Sequence, residues 1–187
     1  MNKTIDLLKA YKNKRNFSIT PEPVNAASNE MADLLSFVVH KHAARSLHYD
    51  FRLELDGVLK SWAVPKGPSL DPKQKRLAIH VEDHPLSYAE FEGEIPPRQY
   101  GAGTVTIWDR GTWAPIGDPR EGLDAGQLKF RLYGEKLKGV WALVRMRRKP
   151  DERQESWLLI KEHDDMSRPE AEFNIVEALP GSVVKKK

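Results

Sequence analysis

The chain has 187 residues, 40% hydrophobic and 30% charged, with a formal net charge of +3 and a pI near 9.0. That composition fits one globular domain with a real core, and it permits a polyanionic partner without demanding one. There are no cysteines, which excludes disulfides, thiolate nucleophiles, cysteine zinc sites and iron–sulfur clusters; any metal must be held by His, Asp, Glu or carbonyl oxygen, a set suited to Mn, Fe, Ni or Zn.

No apolar run approaches the ~20 residues of a membrane span. The stretch Met1 to Asp6 lacks the apolar core of a secretory signal, so a cytoplasmic location is expected. Residues 1–35 predict an irregular arm. Ile5, Leu7, Leu8 and Tyr11 have the spacing of a helical turn, Lys12, Lys14 and Arg15 follow, and Pro21 and Pro23 impose extended chain. Strands are expected over 36–40, 48–55 and 58–64, with Asp56-Gly57 as a hairpin turn and Pro65-Lys66-Gly67-Pro68 as a stop. Alternation resumes over 76–82. Later strands fall at 103–109, 111–115, 127–133, 139–147 and 156–161, separated in part by turn signals at Asp109-Arg110-Gly111, Tyr133-Gly134 and Lys138-Gly139. Trp62, Trp141 and Trp157 alternate with apolar neighbours and read as core. Many short strands and no long amphipathic helix predict an all-β sandwich or barrel. The expected division is an arm (1–35), a β-domain (36–165) and a C-terminal extension or linker (166–187). A short helical turn and then a fraying end are expected from Ser167 on, with Lys185-Lys186-Lys187 as a solvated tail.

The candidate chemistry is concentrated. Five of the six histidines lie between positions 40 and 84. Side chains two apart on a strand point the same way, so His48, Asp50 and Arg52 share one face, with Tyr49, Phe51 and Leu53 on the other. On the later strand Arg76, Ala78, His80, Glu82 and His84 share a face opposite Leu77, Ile79 and Val81. A lone His-x-Asp on a strand is usually a surface hydrogen-bonded pair. A second histidine-rich strand, and His42 six residues before His48, favour a metal or catalytic site. Imidazole and carboxylate can hold a divalent ion, and arginine can hold an anion beside it. Two other readings stand at this point. His48, Asp50 and His84 could form the facial triad of a non-haem iron oxygenase, with Arg98 for a co-substrate carboxylate. A barrel with basic and aromatic residues could also bind nucleic acid without chemistry.

The run Val39-His40-Lys41-His42-Ala43-Ala44-Arg45-Ser46-Leu47-His48-Tyr49-Asp50-Phe51-Arg52-Leu53-Glu54 resembles the 3′-phosphoesterase domain of bacterial ATP-dependent DNA ligase D. So do Leu59 to Pro68, Val81-Glu82-Asp83-His84-Pro85-Leu86-Ser87-Tyr88, Glu92 to Pro96, Tyr100-Gly101-Ala102-Gly103 and Trp108-Asp109-Arg110-Gly111. The likeness covers roughly residues 10 to 162.

That resemblance implies a compact β-barrel of short antiparallel strands with few short helices, acting as a monomer with manganese, or alternatively zinc or cobalt. It implies removal of a 3′-terminal ribonucleoside from a primer-template DNA end, leaving a 3′-phosphate, and removal of that phosphate to leave a ligatable 3′-hydroxyl in nonhomologous end joining. Ligase and polymerase domains and the end-binding Ku protein are the implied partners. His42, His48 and Asp50 match the metal ligands. Arg52, His84 and Tyr88 match the groups that engage the scissile phosphate; Arg76, Glu82 and Lys66 match supporting positions. Arg15 and Glu22 match positions that handle the 3′-terminal nucleotide. Asn16 replaces the family's usual aspartate, and His40 stands where some members have glutamine.

Overall fold

The computed structural model describes residues 6–24 and 34–185. Residues Ile5, Lys186 and Lys187, named above, lie outside the described residues. Among the described residues nine strands form: β1 (Leu35–Ala43), β2 (Leu47–Leu55), β3 (Val58–Val64), β4 (Arg76–Pro85), β5 (Gly93–Ile95), β6 (Gly103–Ile116), β7 (Gln127–Gly134), β8 (Lys138–Arg145) and β9 (Ser156–Lys161). They pair in the order β1-β2-β3-β4-β9-β8-β7-β6, and β6 pairs back to β1. The result is the expected all-β fold, a closed eight-stranded antiparallel barrel with β5 added on β6. Closure leaves the ring without a free edge.

The alternation in β2 decides which side faces the core. Tyr49, Phe51, Leu53 and Leu55 point inward, where they join Trp62, Trp141 and Trp157. All three tryptophans are buried, as their apolar neighbours predict. Asp56 and Gly57 take φ values of 54° and 78°, the left-handed pair that a two-residue hairpin requires.

Two strands depart from simple alternation. The turn expected at Asp109-Arg110-Gly111 is absent, because β6 runs unbroken from Gly103 to Ile116. Gly111 is there for a different reason: a Cβ on it would lie 2.1 Å from the Tyr133 carbonyl oxygen, so the glycine allows β7 to approach. A bulge opposite Val39 and His40 sends Val105 and Ile107 outward while Trp108 and Trp113 point in. In β4, Leu59 of β3 pairs with His84 while Ser61 pairs with Val81. Two steps on β3 therefore face three on β4, and the phase of β4 flips between Val81 and His84.

A second apolar cluster lies outside the barrel. Tyr11, from α1 (Lys9–Asn13), packs with Tyr88 of the 3-10 turn Leu86–Glu90 and with Val38, Leu59, Ile95 and Ile107. The arm, that turn and β5 thus cover the outer wall where β1, β3 and β6 contribute Val38, Leu59, Val105 and Ile107. The C-terminal segment is held rather than frayed: Ile175, in α3 (Ile175–Ala178), is buried, Trp108 Nε1 donates to the Leu179 carbonyl at 2.7 Å, and Val183 N–H donates to Ile107 at 3.0 Å. No helix among the described residues is long and apolar enough to cross a membrane.

Candidate metal and phosphate site

The register of β1 against β2 sets His42 directly opposite His48, two residues from Asp50. All three point away from the core, onto the outer wall. Their ligand atoms lie within 4.8 Å of one another. His42 Nδ1 is 3.4 Å from one Asp50 oxygen and His48 Nε2 is 3.4 Å from the other. The far ring nitrogens are occupied: His42 Nε2 lies 2.7 Å from the Gly101 carbonyl, and His48 Nδ1 lies 2.9 Å from the Ser46 carbonyl. Each carbonyl can accept an N–H, which leaves His42 Nδ1 and His48 Nε2, the nitrogens beside the Asp50 carboxylate, as the ones available to ligate an ion. A carbonyl that holds the far ring nitrogen fixes the orientation of the imidazole, as a metal-binding histidine requires. Two imidazoles and a carboxylate, without sulfur, fit Mn, Fe, Co or Zn.

Arg52 stands beside this group. Its Nη2 is 3.2 Å from Asp50, its Nε donates to His40 Nδ1 at 3.2 Å, and its buried Nη1 has no partner among the described residues. Burial alone would raise the Asp50 carboxyl, but the Arg52 charge and the two histidine hydrogen bonds hold it well below the usual carboxylate range. For His48, burial opposes protonation, yet Asp50 outweighs it and the metal-free imidazole sits above its ordinary value. His40 is pushed down to about 3 by burial and by Arg52. His84 donates from Nδ1 to the Glu82 carbonyl at 2.9 Å, and its Nε2 lies 3.2 Å from Arg15 Nη2. Burial, Arg52 and Arg15 hold it well below its ordinary value. The free protein therefore presents His84 neutral, with an acceptor rather than a proton toward the cavity. Tyr88 packs edge-on against both His40 and His84, and its ring centroid is 5.0 Å from the Arg52 guanidinium.

The arm closes one side. Arg15 Nε is 2.6 Å from Glu22, and Arg15 Nη1 is 3.2 Å from Glu82, all three side chains being at most 5% exposed. Thr20 Oγ1 donates to Glu22 at 2.9 Å. These groups surround a cavity of about 380 Å³ lined by His42, His48, Asp50, Arg52, Glu82, His84, Tyr88 and Arg15 among others. Glu22 lies behind Arg15. A larger groove of about 590 Å³ at the Ser36–Val38 end of β1 is lined by no histidine, so donor chemistry rather than size picks out the site.

Several expected positions fall elsewhere. Arg76, on the same expected face as Glu82, pairs instead with Glu170, which Ser69 also contacts, and Glu82 is held by Lys14 at 2.9 Å and by Arg15. Lys66 is exposed in the turn after β3 and does not line the cavity. The β4 bulge separates His80 from His84: Ile79, Val81, Glu82 and His84 face the cavity, while His80 packs on Trp62 and pairs with Glu155. The facial triad with His84 is not assembled, since His84 meets Arg15 rather than the metal group, and Arg98 does not line the cavity. Asn16 is exposed and its side-chain oxygen accepts the Ser18 N–H at 3.1 Å, so its replacement of aspartate lies outside the cavity wall. Sequence reasoning missed the Gly101 carbonyl, Lys14 and Tyr100. The Tyr-Gly-Ala-Gly run was the available signal for two of them.

Comparison with known proteins agrees with this geometry. Residues 40–145 match the family model described as the DNA ligase D 3′-phosphoesterase domain. The chain is 52% identical over 96% of its length to the multifunctional non-homologous end joining protein LigD of Pseudomonas aeruginosa, covering 21% of that protein. It is 48% identical over 75% of its length to the LigD of Mycobacterium tuberculosis, and 38% identical over 97% of its length to that of Mycolicibacterium smegmatis, covering 18% and 24% of those proteins. The chain spans about a fifth of the length of these curated relatives. The family model runs from His40 within β1 to the end of β8, including every proposed metal ligand, and with that coverage the chain belongs to the DNA ligase D 3′-phosphoesterase family.

Proposed function

We propose that this chain is a divalent-metal-dependent 3′-end-processing phosphoesterase of end-joining repair. It hydrolyses the bond to a 3′-terminal ribonucleoside, leaving a 3′-phosphate, and then hydrolyses that phosphate, leaving a 3′-hydroxyl for ligation. The observation that carries this reading is the adjacency of two imidazole nitrogens, one carboxylate and an Arg52 Nη1 with no partner among the described residues, all in one cavity.

His42, His48 and Asp50 would hold the ion, with manganese the expected one and zinc or cobalt as substitutes. Bound there, it supplies Lewis-acid polarisation of a phosphoryl oxygen and a water of lowered pKa. Arg52 offers Nη1 to a non-bridging oxygen, where negative charge builds as water attacks phosphorus. Its other donors are fixed by Asp50 and His40, so the guanidinium is already oriented. An arriving phosphate brings negative charge between Arg52, Arg15 and His84, which favours protonation of His84 at Nε2. His84 can then donate to the oxygen of the breaking P–O bond, the nucleoside O5′ or the DNA O3′. Tyr88 confines both residues. Arg15 and Glu22, on the arm, bound the space beyond the phosphate where the terminal nucleoside would lie. Arg76 and Lys66 have no part in these steps.

The partners are DNA 3′ ends in primer-template duplexes, and by relation to the LigD proteins also polymerase and ligase modules and Ku, in the bacterial cytoplasm, with the chain acting as a monomer. The test is a labelled primer-template ending in one ribonucleotide, incubated with and without manganese. Stepwise appearance of 3′-phosphate and 3′-hydroxyl ends, blocked by chelator, is expected. Retention of the intact primer under all conditions would favour a binding module.

A further inference from the structure

Tyr100 is the one exposed large apolar side chain, among the described residues, that lines the cavity, with 46% of its surface open. It belongs to neither apolar cluster, so barrel packing gives no reason for the ring. Its loop is fixed. Gln99 N–H donates to the Pro96 carbonyl at 3.2 Å, Ala102 N–H donates to the Gln99 carbonyl at 3.1 Å, and the next residue, Gly101, holds His42. The ring is thereby kept at a set distance from the metal ligands. Lys14 Nζ lies 4.9 Å and Arg15 Cζ 5.3 Å from its centroid. Both cations have carboxylate partners in Glu82 and Glu22; Lys14 Nζ also reaches the Tyr100 hydroxyl at 3.5 Å, a contact at the rim of the ring that leaves its face open. An exposed aromatic flanked by cations beside a phosphate pocket is the pattern by which nucleic-acid strands are held, bases on the ring and backbone along the charges.

The geometry points to Tyr100 as the platform on which the base of the 3′-terminal nucleotide stacks. The contact is sequence-tolerant, because every base offers a flat face. It sets how deeply the terminal nucleotide enters, and so where its phosphate meets Arg52. This inference rests on the 3′-end reading above and adds a base subsite to it.

The experiment compares two primer-templates, one ending in a normal ribonucleotide and one in an abasic ribose. On the normal end, Tyr100→Ala should lower kcat/KM for nucleoside removal about tenfold, chiefly through KM, while Tyr100→Phe and Tyr100→Trp restore it. On the abasic end the Ala variant should match the parent protein. Equal loss on both ends would assign the ring to holding the arm and overturn the base subsite, as would no loss on either. A second readout needs no turnover: 2-aminopurine at the terminal position should be quenched on binding to metal-free parent protein and not by Tyr100→Ala. No quenching by the parent, or quenching by both, overturns the proposal. Failure of the parent protein to cleave either primer would instead refute the 3′-end reading, with the fluorescence still deciding the stacking.

Discussion

Arg52 donates from Nε to Nδ1 of His40 across the β1–β2 pair at 3.2 Å, and neither residue is more than 3% exposed. A protonated imidazole could not accept that bond. Burial and the guanidinium charge together keep His40 neutral, with its value pushed down to about 3. His40 is thus read as a positioning residue that turns the Arg52 fork toward the cavity.

That arrangement predicts a pH effect on stability. The folded value lies below the unfolded value near 6.5, so the unfolded chain binds the proton first as pH falls. The contribution is present in full above about pH 6.5 and is lost as pH drops from there toward about 3. His40→Gln keeps an acceptor for Arg52 but cannot titrate. Thermal melts of metal-free protein between about pH 4 and pH 7 should show the parent Tm falling more steeply than that of the variant. Parallel curves would mean that His40 titrates normally in the fold.

Arg52→Lys should be far from conservative. The guanidinium serves Asp50 and His40 with two of its nitrogens and leaves Nη1 over. An ammonium cannot hold that fork geometry. A fall in kcat of roughly 100-fold or more is expected for both nucleoside and phosphate removal, with manganese affinity retained in titration calorimetry. Loss of manganese binding in the variant would place Arg52's effect on the ion rather than on phosphate.

His48→Ala removes one of three proposed ligands. Manganese should raise the Tm of the parent protein, because a ligand bound only by the folded state stabilises it. The variant should show no such rise and no turnover. Near-parental activity of His48→Ala with manganese would refute the ligand assignment.

How far this was legible from sequence differs strand by strand. In β2 the alternation of His48, Asp50 and Arg52 with Tyr49, Phe51 and Leu53 was sufficient, because the strand is regular and one side is core. In β4 the same rule put His80 with His84 and left Ile79 and Val81 on the far side, and the bulge reversed this. No residue type marks that bulge, since it arises from pairing with β3. Strand alternation puts Arg76 on the face of Glu82, but its partner Glu170 lies 94 residues away, a tertiary contact that local pattern does not carry. Asp109-Arg110-Gly111 has turn composition, yet the glycine answers close approach by β7.

Gly101→Ala tests the anchoring of the metal group. Gly101 has φ +76°, and a Cβ there would sit 3.5 Å from His42 Cε1. The space is ordinary contact, but the backbone conformation is costly for alanine, so the loop should shift and weaken the Gly101 carbonyl hold on His42 Nε2. Loss of such outer-shell support costs roughly 10- to 100-fold in metal affinity. Calorimetry with manganese should show that fall while the Tm of metal-free protein changes little. Unchanged affinity would mean that His42 needs no help from the loop.

Glu22→Ala separates the arm from the phosphate chemistry. The Glu22 side chain is fully buried, accepts from Arg15 Nε at 2.6 Å and from Thr20 at 2.9 Å, and touches none of the three proposed metal ligands. Its removal leaves Arg15 with Glu82 as its remaining carboxylate partner and loosens the arm where the terminal nucleoside would lie. Breaking a buried pair this way is worth several kcal/mol. Here the cost should fall on local closure of the arm rather than on the barrel, because the described arm residues pack on the outer cluster and pair with Glu82 on the outer wall, away from the barrel core. Nucleoside removal should therefore drop roughly 30-fold or more, phosphate removal should suffer much less, and amide exchange should quicken over residues 9–20 alone. Equal loss of both activities with exchange unchanged in the arm would place Glu22 in phosphate chemistry, and the arm would then have no separate role in holding the terminal nucleotide.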